Sequence, residues 1–176
     1  MLKRVAMALI GGVLLFGASS AQAQSEKRWS VGGTLTGASD YFFRGISQTD
    51  HIPAVQGSFD VGYQMTKPFG FFAGIWASNI DFNDGDDAHI EVDFYGGFKG
   101  SIGNFSWTLQ FIYYHYPGAE SGTNYDYFEI NPSVGYDFGW ASFTVGFNVS
   151  PDYFGKSGVA FYLYGQASVP IPIKAL

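Results

Sequence analysis

Apolar and polar residues alternate one for one along much of this chain. Between Ala54 and Met65 the odd positions read Val55, Gly57, Phe59, Val61, Tyr63 and Met65, and the even ones Ala54, Gln56, Ser58, Asp60, Gly62 and Gln64. A period of two places successive side chains on opposite faces, so this run predicts a strand with one apolar and one polar face. From His89 to Lys99 the same register sets Ile90, Val92, Phe94 and Phe98 against His89, Glu91, Asp93, Tyr95 and Lys99. Phe105 to His115 opposes Phe105, Trp107, Leu109, Phe111 and Tyr113 to Ser106, Thr108 and Gln110. Tyr127 to Phe138 opposes Phe128, Ile130, Val134 and Phe138 to Glu129, Asn131, Ser133 and Asp137. Pro132 interrupts that last run, and its missing N–H leads us to expect a local bulge.

Less regular strands are expected over 29–43, 71–79, 141–148 and 159–168, which makes eight. Each has about the 9 to 11 residues that cross a bilayer when tilted. No helical spacing of three and four is sustained after Ala23. The connections alternate in length: 45–53, 81–88, 116–126 and 151–158 are long, whereas 66–70, 101–104 and 139–140 are short. Long loops at one end and short turns at the other are the layout of an outer-membrane barrel, with the short set in the periplasm. The expected fold class is therefore all-β, an antiparallel up-and-down transmembrane β-barrel of about eight strands. Tyr63, Trp107, Tyr113, Tyr136 and Trp140 fall near strand ends, where interfacial girdles belong. The alternative is a periplasmic sandwich that buries the same face as a core.

The first residues add an address. Lys3 and Arg4, the apolar run from Val5 to Phe16, and Ala21-Gln22-Ala23 have the order of a secretory signal peptide over residues 1–23, leaving a barrel domain over 24–176. The apolar run is shorter than the roughly 20 residues a membrane-spanning helix needs. Without Lys3 and Arg4, seven basic residues face fifteen acidic ones, a net charge of −8. That balance argues against nucleic acid, or anionic lipid, as a partner held by bulk charge. The chain has no cysteine, so it has neither thiol chemistry nor disulfides, and packing, sheet hydrogen bonds or a membrane must stabilise it.

Candidate chemistry lies on the polar face. Asp60, His89, Glu91, Asp93, Lys99, Glu129 and Asp137 would line a lumen with acidic excess, which favours cations. The competing reading is a polar plug of salt bridges that fills the narrow interior of eight strands. Asp81, Asp84, Asp86 and Asp87 crowd one loop and are a weak calcium candidate, because a calcium loop wants glycine at its sixth position and glutamate at its twelfth. Counted from Asp81, those positions hold Asp86 and Val92. Gly155-Lys156-Ser157 lacks the earlier glycine and following helix of a phosphate loop. His51, His89 and His115 lie far apart with no serine elbow, so no catalytic residues are assigned, no cofactor is implied and an enzyme is not expected.

The run Ser39-Asp40-Tyr41-Phe42-Phe43-Arg44-Gly45-Ile46-Ser47-Gln48-Thr49, followed by Pro53-Ala54-Val55-Gln56-Gly57, resembles the signature of the TorF family of porins. The resemblance continues through 72–79, 91–97, 113–118 and 150–155 and spans nearly the whole mature chain. It implies an outer-membrane barrel described as a porin, with no catalytic residues to carry over. It also implies further strands past Val169, so the ending at Pro170 to Leu176 suggests a truncated or frameshifted product. Within the signature, Asp40 and Arg44 are expected on the polar side of the first strand, about 13 Å apart. There they would line the outer mouth or form ion pairs with neighbouring strands. The leading functional expectation is an outer-membrane protein, surrounded by lipid, that passes small hydrophilic solutes or ions and prefers cations. A sealed barrel whose external loops bind a partner is the alternative, and a soluble ligand-binding barrel ranks third.

Overall fold

The computed structural model describes residues 28–170, so the expected signal peptide and the last six residues lie outside the described residues. Alternation becomes strand wherever it is sustained: β1 (Trp29–Ala38), β2 (Phe42–Phe43), β3 (Ile46–Ser47), β4 (Ala54–Thr66), β5 (Phe69–Asn79), β6 (Ile90–Ile102), β7 (Phe105–His115), β8 (Tyr127–Asp137), β9 (Ser142–Ser150) and β10 (Ala160–Ser168). The eight long strands form one antiparallel sheet in the order β1-β4-β5-β6-β7-β8-β9-β10, and β2 pairs with β3 alone. The meander is the expected one. The sheet is open, however: among the described residues β1 and β10 are its two edges and do not pair with each other.

The alternation sorts side chains cleanly between the faces. Val31, Leu35, Val55, Phe59, Phe94, Val145, Phe161 and Leu163 stand exposed on the convex face. No Asp, Glu, Lys or Arg shares that face within the eight strands. Aromatic clusters gather on it at the short-turn end, where Trp29 meets Tyr63, Phe69 stacks with Phe98 and Trp107, and Phe138 meets Tyr136, Trp140 and Phe143. Polar residues hold the concave face, and the buried apolar cluster sits at the long-loop end, built from Ile80, Ala88, Ile112, Tyr114, Tyr116, Tyr125 and Tyr127.

Two expectations are corrected. The first strand was expected to run to Phe43; it stops at Ala38, and β2 and β3 then form a separate hairpin. Arg44 and Gly45 are its two central residues, both with positive φ (52° and 86°), as the primed turns of tight hairpins require. Pro132 causes no bulge. Ile130 pairs with Val149 and Ser133 with Gly146, which is one unbroken register. Only the pairs between them are missing, because the proline nitrogen has no hydrogen to give the Phe147 carbonyl.

Candidate functional site

The concave face narrows onto a group of carboxylates near the long loops. Glu91 and Asp93 lie two residues apart on β6 and Glu129 on β8, with exposures of 2%, 6% and 1%. The cation that answers them comes from far away in sequence. The β2–β3 hairpin folds inward, and Arg44 donates to both oxygens of Glu129, Nη1 to Oε1 at 2.8 Å and Nη2 to Oε2 at 2.6 Å. This bidentate geometry is the strong form of the pair. The guanidinium also lies 4.5 Å from the ring centres of Phe43 and Tyr162, the latter on β10. A residue just after β1 thus touches β8 and β10, so the sheet curls around one interior. Burial works against the guanidinium's charge, but the hydrogen bonds and charge of Glu129 outweigh it and raise the Arg44 pKa.

The other two carboxylates are held differently. Tyr41 donates its hydroxyl to Glu91 at 3.0 Å, and burial together with the charges of Glu91 and Asp93 pushes that phenol's pKa up. Asp93 stands between Trp76 on β5 and Tyr114 on β7, its direct cross-strand neighbours. Its Oδ1 is buried and has no hydrogen-bond partner among the described residues. Ser150 Oγ is likewise unpartnered, and its residue is wholly buried one step beyond the Ile130–Val149 pair, beside Glu129.

Asp40 knots the hairpin. Ser47 and Thr49 hydroxyls donate to its Oδ1 at 2.7 and 2.8 Å, and His51 Nδ1 lies 2.8 Å from Oδ2. The expected 13 Å separation along one strand does not apply, because neither Asp40 nor Arg44 is in β1. Asp60 accepts from Ser58 and Tyr95 on the concave face. His89 is exposed just ahead of β6. Lys99 lies towards the short-turn end, 5.8 Å from the Phe72 ring centre. Asp137 accepts the Gly139 amide in the β8–β9 turn, so these last three do not join the carboxylate group.

The four loop aspartates do not converge either. Asp81 accepts the Asn83 amide, Asp84 the Asp86 amide and the Tyr125 hydroxyl, and Asp86 the amides of Ala88 and Glu120. Among the described residues no three His, Asp or Glu side chains are placed to share a metal ion. Asp81, Asp84 and Asp86 shape the loops instead, and Asp87 is exposed.

The loop carboxyls carry a pH dependence. Partial burial raises the Asp40 pKa, but hydrogen bonds from Ser47, Thr49 and His51 hold it below its ordinary 3.8. Asp126 is lowered in the same sense, against burial, by the Tyr116 amide and by His115 and Tyr113. Asp84 is lowered chiefly by the Tyr125 hydroxyl. A depressed folded pKa contributes stability that is present above the unfolded value and lost as pH falls through the folded one. Hydrogen exchange, corrected for its intrinsic rate, is therefore expected to quicken in 39–51 and 116–126 below about pH 3.8 while β5 to β7 stay protected. Loops that keep their protection down to about pH 2 would show that these contacts contribute nothing.

Tyr41, Trp76, Tyr114 and Ser150 belong to the site and were not singled out from the sequence. Tyr114 left a signal, as a large aromatic on the face of its strand that carries Ser106, Thr108 and Gln110. The profile of a bacterial family described as "protein of unknown function (Gcw_chp)" matches residues 20–176. No curated protein and no solved structure matches the chain.

Proposed function

Because the chain belongs to the Gcw_chp family of bacterial proteins, whose description assigns no activity, we propose a function from its own geometry. The protein is an outer-membrane β-barrel, exported by its signal peptide, that passes small hydrophilic solutes along its concave face and prefers cations. It works by passive passage, not catalysis. The carrying observation is the division of the sheet, with an exposed convex face free of Asp, Glu, Lys and Arg and a concave face bearing Glu91, Asp93 and Glu129. Such a convex face suits lipid, where aromatic clusters at strand ends suit the interface. In lipid the β1 and β10 edges must find partners, since each unpaired backbone group there costs several kcal/mol. The likeness of 39–57 to the TorF signature supports the same reading.

The test is conductance of the refolded chain in a planar bilayer. Steady cation-selective steps are expected, with a reversal potential that moves towards zero in the Glu91→Gln, Asp93→Asn, Glu129→Gln triple variant. An unchanged reversal potential in that variant rejects the acidic passage.

One observation favours a second reading. Tyr116, Tyr125, Tyr127, Phe82 and Phe154 pack ring against ring across the long-loop end, beside the inserted hairpin. A barrel sealed there would be silent and would act through its loops. These form a polar depression of about 500 Å³ that includes His115, Glu120, Asn124 and Lys156.

A further inference from the structure

Three carboxylates and one guanidinium make an unequal set, and the imbalance is local. Glu129 has Arg44 on both oxygens and Glu91 has the Tyr41 hydroxyl, whereas among the described residues Asp93 Oδ1 has no donor although the residue is 94% buried, being 6% exposed. Asp93 is within electrostatic reach of both Glu91 and Glu129. A buried, unpartnered carboxylate oxygen is costly unless something supplies a donor and a positive charge. The rings around it fit a cation. Trp76 and Tyr114 flank Asp93 directly, Tyr41 stands edge-on to Trp76 at 5.3 Å, and Phe43 meets Tyr114 at 5.8 Å. Aromatic faces attract ammonium and guanidinium groups, most strongly away from water.

We propose that Asp93, between Trp76 and Tyr114, binds the cationic N–H group, ammonium or guanidinium, of a small solute. The protein already holds one such group by the same means, since Arg44 rests on a carboxylate and between two ring faces. The free Asp93 oxygen can accept an N–H donor, which quaternary ammonium and alkali metal ions lack. Tyr41 and Phe43 cover the two flanking rings. As an account of what the passage carries, the inference rests on the reading above; as a binding site it is measured without conduction.

The experiment is calorimetric titration of the full chain, refolded in detergent micelles at constant ionic strength. n-Propylammonium and guanidinium serve as separate probes, with tetramethylammonium and potassium as controls. Saturable binding of either probe is expected, with both controls at least about tenfold weaker and a loss of about tenfold or more in Asp93→Asn. The probe that binds more tightly assigns the solute as amine or guanidine. Trp76→Phe keeps the carboxylate and is expected to weaken binding by a smaller factor, which serves if Asp93→Asn fails to refold. No binding, equal binding by tetramethylammonium, or undiminished binding by a refolded Asp93→Asn overturns the proposal. Conductance without binding sinks this inference and leaves the passage standing, and binding without conductance does the reverse.

Discussion

Replacing Arg44 with asparagine is expected to destabilise the refolded protein by about 3–5 kcal/mol, the cost of leaving one member of a buried ion pair alone. Asparagine accepts positive φ readily, so the hairpin turn at 44 and 45 survives and the loss is assigned to the pair itself. Glu129 would remain, its side chain only 2% exposed, with a single long contact among the described residues, from the Tyr114 hydroxyl at 3.3 Å. Adding Glu129→Met removes the stranded charge, and the double variant should recover much of the loss, because buried pairs replaced by apolar groups are often near neutral. Urea titration of folding into lipid vesicles measures both. A single-variant cost below about 1 kcal/mol would mean the pair behaves as a solvated one and does not anchor the hairpin.

The second large effect is on the convex face. Ile75 lies mid-strand in β5, facing outward between Phe59 and Phe94, and Ile102 lies outward at the short-turn end of β6. Lipid penalises charge by depth, so Ile75→Arg is expected to cost about 2–4 kcal/mol and Ile102→Arg about 0–1 kcal/mol. A face turned to water gives a different result. Both residues are already exposed, and arginine would then change stability by no more than about 0.5 kcal/mol at either position. The pair of variants therefore separates a membrane-embedded sheet from a soluble one, without any measurement of transport.

Arg44 and Phe94 mark the two sides of what could be read in advance. The faces of β4, β6, β7 and β8 follow from alternation because side-chain direction reverses at every residue, a rule that needs no distant partner. The outward position of Phe94 and the inward position of Glu91, Asp93 and Glu129 were legible on that ground alone. So was the alternation of long loops and short turns. Where a single residue departs from the pattern the sequence was ambiguous: Pro132 is compatible with a bulge or a gap, and the neighbouring strand decides, since β9 keeps one register on both sides.

The site itself was decided by tertiary structure. Arg44 and Glu129 are 85 residues apart, and nothing in local periodicity reports that they meet. Their contact depends on the hairpin turning inward and on the sheet curling until β8 and β10 face the segment after β1. Curl is the accumulated twist of many strand pairs, and no short window of sequence contains it. Asp93 shows the same division. Its face was set by its place in β6, whereas its missing partner and its flanking rings depend on where β5, β7 and the hairpin come to rest around it.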